Sequence, residues 1–203
     1  MIQMQLQTSK LLILSGSSRA GSFNGKLASL ARGLALGEGA QASLLDLRAL
    51  DLPVYDAEIE ASAMPAGALT FRDALARHDG VIVTCPEYNG FPTPLLINAF
   101  DWVSRVTAGN GLPAGLAALA GKPAGVMSAS PGPFGGLRSL MFARQFLHNV
   151  LGMLVVPEQF ALSQAAQAFD SEGQLREPKH VQAAQRVVRS VLRLSTALRT
   201  VSP

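Results

Sequence analysis

The stretch LLILSGSSRAGSFNGKLASL, Leu11 to Leu30, decides how this chain is read. Its first four residues are an apolar block bounded by turn formers, which predicts a buried strand. A helical stripe of Leu27, Leu30, Ala31 and Leu34 follows, with Asn24 placed to cap it. Between them, Gly16 to Phe23 consists almost wholly of small residues and hydroxyls around one arginine. Strand, small-residue loop and helix in this order form half of a parallel crossover unit.

The same unit recurs outward along the chain. Val81–Thr84 and Ala124–Ser128 each run into a loop of small residues and then a segment of helical period. A further block, Ala42–Leu47, precedes these two, and Met153–Val156 follows them. Near-continuous apolarity predicts strands covered on both faces, as in a parallel sheet. Pro94–Val106 keeps Asn98, Asp101 and Arg105 on one stripe and is apolar over most of its remaining circumference, so it predicts a helix with more than one buried face. Leu137–Leu151 spreads its apolar residues as widely, while Lys179–Leu198 is amphipathic. The alternation predicts an α/β fold of one domain, residues 1–203. Five strands would form a doubly wound parallel sheet between two helix layers, with right-handed crossovers. Thr107–Gly121 and Phe169–Pro178 read as mobile loops. Ligands of such sheets lie outside the carboxyl ends of the strands, where the three small-residue loops are expected to converge.

Composition narrows the classes. Charged residues make up 15% against 48% hydrophobic, little for a surface that is wet everywhere, so a second copy is expected to cover part of it. The net charge of +3 is spread thinly, and Lys179, Arg186, Arg189, Arg193 and Arg199 are spaced as the wet side of a helix. Nucleic-acid binding is therefore not expected. One cysteine, Cys85, permits no internal disulfide, and no run approaches the ~18 apolar residues of a membrane span. A soluble cytoplasmic protein is the expectation. His78, His148 and His180 are scattered without ligand spacing, so no metal is expected.

The loops carry the chemistry. GSSRAGSF combines backbone amides at a helix start, serine hydroxyls and an arginine fork, a set matched to a dianionic phosphate; Ser17, Arg19, Ser22 and Asn24 are the candidate ligands. It is neither GxGxxG nor GxxxxGK[ST]. An ordinary strand-to-helix turn would also use small residues. CPEYNGFPTP is stiffened by Pro86, Pro92 and Pro94 and offers Glu87, Tyr88 and Asn89, an acceptor, an aromatic face and an amide suited to a planar heteroaromatic ligand. Glu87 would alternatively serve as an acid, base or nucleophile. SASPGPFGGLRS again places hydroxyls before a helix, with glycines that admit a close approach.

Together these motifs give the chain its resemblance to the NAD(P)H-dependent FMN reductase family, the flavodoxin-like group that includes bacterial chromate, quinone and azo-dye reductases. The matching segments are GSSRAGSFNGKLA, DLRALDLPVYD, PEYNGFPTPLLINAFDW and LAGKPAGVMSASPGPFGGLR, with FDSEGQL before the last helix. The resemblance implies strand order 2-1-3-4-5, with FMN at the switch point. It implies Ser17, Arg19, Ser22 and Asn24 at the FMN phosphate, Pro86, Glu87, Tyr88 and Asn89 along the ribityl chain and ring, and Ser128 and Ser130 at the ring. Ser18 and Ala20 depart from the family pattern, which is usually apolar and often basic at those positions.

The resemblance further implies reduction of FMN by NAD(P)H and ping-pong transfer to a small-molecule acceptor, a quinone, azo compound, metal oxyanion or free flavin. No catalytic acid or base is required, because the flavin carries the chemistry. Homodimers pairing into homotetramers are implied, with the Pro94–Val106 helix a candidate contact surface. Two other readings stay open: an FMN electron carrier without turnover, and a non-flavin nucleotide enzyme that uses Glu87.

Overall fold

In a computed structural model, which describes residues 8–201, five strands form one parallel sheet. They are β1 (Lys10–Ser15), β2 (Gln41–Asp46), β3 (Gly80–Thr84), β4 (Pro123–Ala129) and β5 (Leu154–Leu162), in the order β2-β1-β3-β4-β5. This is the expected 2-1-3-4-5 sheet. Strand residues alternate between two cores. Leu12, Leu14, Val81 and Val83 face one layer, made by α3 (Ala66–Ala76), α4 (Pro94–Arg105), α5 (Gly115–Leu119) and α6 (Leu137–Gln145). Leu11, Ile13, Ile82 and Met127 face the other, made by α1 (Phe23–Gly37) and α8 (Pro178–Val201). Each central strand is buried on both sides, which is why its sequence is an unbroken apolar run. Two short helices, α2 (Ala57–Ser62) and α7 (Ala165–Ala168), complete the element order.

The edges depart from expectation. On β2, Ser43 and Leu44 are exposed and Ala42 and Leu45 half-buried, because the strand order puts it at the rim. The last strand runs well beyond Val156 to Leu162, past Pro157. Register explains this: Ala124 pairs Val155 but Val126 pairs Gln159, so β5 bulges around a proline that has no N–H to give the ladder.

Other expectations are corrected. Ser22, not Asn24, caps α1, its Oγ accepting from Gly25 N at 2.9 Å. The helix expected to Leu151 changes at Gln145 into a π-turn, Phe146–Val150, closed by Leu151 N donating to Phe146 O. Both expected mobile loops are pinned. Buried Arg72 donates to Thr107 O and Pro113 O, and α5 occupies much of the first loop. In the second, Asp170 Oδ1 accepts from the backbone of Glu172 and Gln174. Helix α4 does bury more than one side, within its own chain. Leu96, Ala99, Phe100 and Val103 meet the sheet-side core, while Trp102 and Val106 pack with Ala68. Its apolarity therefore needs no second copy.

One side chain joins the two halves of the sheet's carboxyl end. Asn24 Nδ2 donates to Ala129 O at 2.8 Å, and its Oδ1 accepts from Ala129 N at 3.0 Å. Replacing it by alanine strands two buried backbone groups. We expect Asn24→Ala to cost about 2–3 kcal/mol, read as a lowered urea midpoint at unchanged slope.

Candidate functional site

The three loops do converge, and hydroxyls tie them together. Gly16 N donates to Thr84 O at 2.8 Å, and Thr84 Oγ1 donates to Leu14 O and Asn24 O. Thr93, the N-cap of α4, donates from Oγ1 to Gly16 O at 2.7 Å. Arg48 reaches from the turn after β2 and donates from Nη1 to Ser18 O at 2.9 Å. The third loop is fixed on β5, with Ser130 N donating to Leu162 O and Ala165 N to Ser130 O.

Between them lies a cleft of about 260 Å³, lined by Ser17, Arg19, Ser22, Phe23, Asn24, Pro86, Glu87, Tyr88, Ala129, Ser130 and Pro131. Every candidate site residue lines it except Asn89 and Ser128. Asn89 sits at the exposed tip of a two-residue turn between Tyr88 and Phe91, whose backbones exchange hydrogen bonds. With φ of 53° at Asn89 and 87° at Gly90, this turn requires the Asn-Gly pair. Ser128 is fully buried beneath the third loop, where Gly136 crosses so closely that a Cβ there would lie 1.9 Å from Ser128 Oγ. It is not among the residues lining the cleft, and its buried Oγ has no hydrogen-bond partner among the described residues.

The phosphate-type donors are in place. Ser17, in the loop after β1, and Ser22, the N-cap of α1, line the cleft; Ser22 Oγ takes the Gly25 N–H, which leaves those of Phe23 and Asn24 without an intrahelical acceptor. No acidic residue occupies that first turn. Arg19 is exposed, and its guanidinium makes no ion pair among the described residues; its Cζ lies 5.5 Å from the Phe23 ring centroid. Asn24 reaches the cleft, but both ends of its amide are engaged by Ala129, so it braces the loop more than it solicits a ligand.

Glu87 is neutralised where it stands. Arg138 pairs with it through Nε at 2.8 Å and through Nη2, and Ser139 N at the start of α6 donates to its other oxygen. Its side chain is 10% exposed. No second carboxylate lines the cleft among the described residues, and none of their His, Cys, Asp and Glu side chains group to hold a metal ion.

Sequence reasoning missed Phe23, Ala129 and Pro131 in the lining, and Thr84, Thr93 and Arg48 behind it. Thr93 was findable, since a threonine directly before a helix-opening proline is a cap signal.

A family model described as NADPH-dependent FMN reductase matches residues 9–167. The chain belongs to that family. Among curated FMN reductase relatives, a quinone reductase of Pseudomonas putida is 37% identical, covering 84% of this chain and 87% of its own. An NAD(P)H-dependent FMN reductase of Pseudomonas aeruginosa is 32% identical, covering 84% and 86%. Among solved structures, FerB of Paracoccus denitrificans, a flavoenzyme NAD(P)H:(acceptor) oxidoreductase, superposes with a TM-score of 0.76 at 26% identity, covering 94% of this chain and 98% of FerB. An archaeal flavodoxin shares the fold alone, with a TM-score of 0.54 at 10% identity. The chain is thus an oxidoreductase of the NAD(P)H-dependent, FMN-using kind. The residues present fit FMN: hydroxyls, helix amides and an uncommitted arginine for a dianion, and a tyrosine and loop backbone for a ring.

Cys85 borders this site but is inert. It is 1% exposed, and burial pushes its thiol up, against the opposing pull of hydrogen bonds from Thr93. We expect the folded protein to resist Ellman's reagent at pH 8 and to react fully with it in guanidinium. Rapid labelling of the native state would contradict the burial.

Proposed function

We propose that this protein takes reducing equivalents from NAD(P)H and delivers them to a quinone-type acceptor in a ping-pong cycle within the one cleft. The observation that carries the reading is the pairing of an acid-free anion cradle with a neutralised Glu87, so the cleft supplies binding and charge but no acid or base. FMN, when bound, supplies the chemistry of accepting a hydride from nicotinamide and returning electrons to an acceptor.

The chain's own groups do the rest. Ser17, Ser22, the unengaged first-turn amides of α1 and Arg19 would hold the phosphate, and the stiff Pro86–Tyr88 segment, with Asn89 at its tip, would border the ribityl chain and ring. Ser130 and the backbone of the third loop border the ring, anchored on β5 so that their dipoles need not reorganise during turnover. Arg19, which makes no ion pair among the described residues, gives the mouth a positive character suited to a phosphate-bearing donor.

The homodimer or homotetramer reading rests on α6 and the loops beside it, not on α4. Phe91, Phe134, Leu137, Met141 and Phe142 are exposed there, and the Phe91 and Phe142 rings stack at 4.2 Å. Apolar faces of this kind mark contact sites. A cytoplasmic location is part of the proposal, supported by the single, buried thiol; no helix among the described residues is long and apolar enough to cross a membrane.

The deciding experiment loads the protein with FMN, removes the excess and adds NADPH or NADH anaerobically, then a quinone. Bleaching followed by recovery of the visible band, with parallel double-reciprocal plots in steady state, is expected. Bleaching without recovery by the quinone, or intersecting plots, would overturn the acceptor or the ping-pong order. Separately, Met141→Glu is expected to lower the sedimentation coefficient while secondary structure is preserved.

A further inference from the structure

The FDSEGQL segment has no part in the site described so far, yet its geometry points back to it. Phe169 follows α7 and is 5% exposed. Its ring lies parallel to that of Phe23, at 1° between planes and 6.2 Å between centroids. That spacing falls within the offset-stacked range. Phe23, at the first position of α1, in turn has Arg19 Cζ 5.5 Å from its ring centre. On Phe169, Lys26 Nζ sits 5.6 Å from the ring centre. The result is a row of cation, ring, ring and cation: Arg19, Phe23, Phe169, Lys26.

We infer that the FDSEGQL hairpin is a brace for the anion cradle: Phe169, acting through Phe23, sets the position of the Arg19 guanidinium. Arg19 is on an exposed loop, and its guanidinium has no carboxylate partner among the described residues. A long exposed side chain of that kind gives up rotamer freedom when it meets an anion, which weakens the contact. An aromatic face below the guanidinium holds it without consuming its charge, because attraction to a ring quadrupole leaves the N–H donors free. A carboxylate in that place would order the side chain and also neutralise it.

The hairpin is built to keep Phe169 still. Phe169 and Leu175 form an antiparallel bridge, and Arg176 Nε donates to Phe169 O at 3.2 Å. Asp170 gathers two backbone donors across the turn, and Asp170 N donates to Gln174 O. Gly173 lies over the methylenes of Lys26, where a Cβ would stand in ordinary contact, 3.6 Å from Cδ. Phe169 therefore acts as a positioning residue, and it touches neither the cofactor nor the reacting atoms.

This inference rests on the phosphate assignment of Arg19, and the test separates the two. The full-length protein, freed of flavin, is titrated with FMN and with riboflavin, which lacks the phosphate, by quenching of flavin fluorescence. Arg19→Ala is expected to lower the FMN-to-riboflavin affinity ratio. Phe169→Leu is expected to lower that ratio about two- to fivefold, with riboflavin affinity unchanged, and Phe169→Tyr to restore it. In the double variant Arg19→Ala/Phe169→Leu, the ratio stays at that of Arg19→Ala, because the brace has nothing left to position. Equal loss of both flavins in Phe169→Leu, or full additivity in the double variant, overturns the brace while leaving the phosphate assignment standing. An unchanged ratio in Arg19→Ala overturns both. Should Phe169→Leu fail to fold, Phe169→Met, closer to the ring in volume, reads the same ratio.

Discussion

The site depends on the two hydrogen bonds that Asn24 makes to the backbone of Ala129. They lock the beginning of α1 to the end of β4 across a separation of 105 residues, and they do so inside the protein, where an unmade bond is expensive. The loops that line the cleft are tied together around this joint. The first loop is held between it and the Arg48 contact at Ser18, while Thr84 closes the inner side by donating to both Leu14 and Asn24. Thr93 then carries the second loop onto Gly16. Three loops that are separate in sequence thus behave as one wall, which is what a cofactor site needs if its donors are to be aimed before the ligand arrives.

Charge is distributed with the same economy. Of the groups lining the cleft, Glu87 is the carboxylate, and it is spent on Arg138 and on the N-terminus of α6. Arg19 is left with an aromatic neighbour and a vacant fork. The contrast separates two arginines: Arg138 is paired with a carboxylate of its own chain, and Arg19 has no ion pair among the described residues.

How much of this was legible in the sequence follows from how far each interaction reaches. Buried parallel strands announce themselves, because both faces must be apolar, so Leu11–Leu14 and Val81–Thr84 were plain. An edge strand obeys weaker rules: β2 tolerates Ser43 and Asp46, and β5 continues through Pro157 although a proline in a run of strand residues reads as a stop. The cap of α1 was misread because Ser22 and Asn24 are both good cap formers. The choice was made by Ala129, distant in sequence, which claims the asparagine amide. Ser128 and Ser130 look equivalent on paper, but one lies under Gly136 and the other at the cleft, a difference set by where the third loop folds back. Motif chemistry was readable locally; the tethers that make it a site were not.

The bulge in β5 bears on how the molecule behaves in a crowd. The rim of a sheet offers unpaired backbone to any passing strand, and a flat one seeds fibres. Here the outer strand is broken at Pro157, and Arg144 caps the carbonyl of Val156 from the chain's own α6. From this edge, though not from the β2 rim, a second sheet therefore meets no continuous ladder to extend.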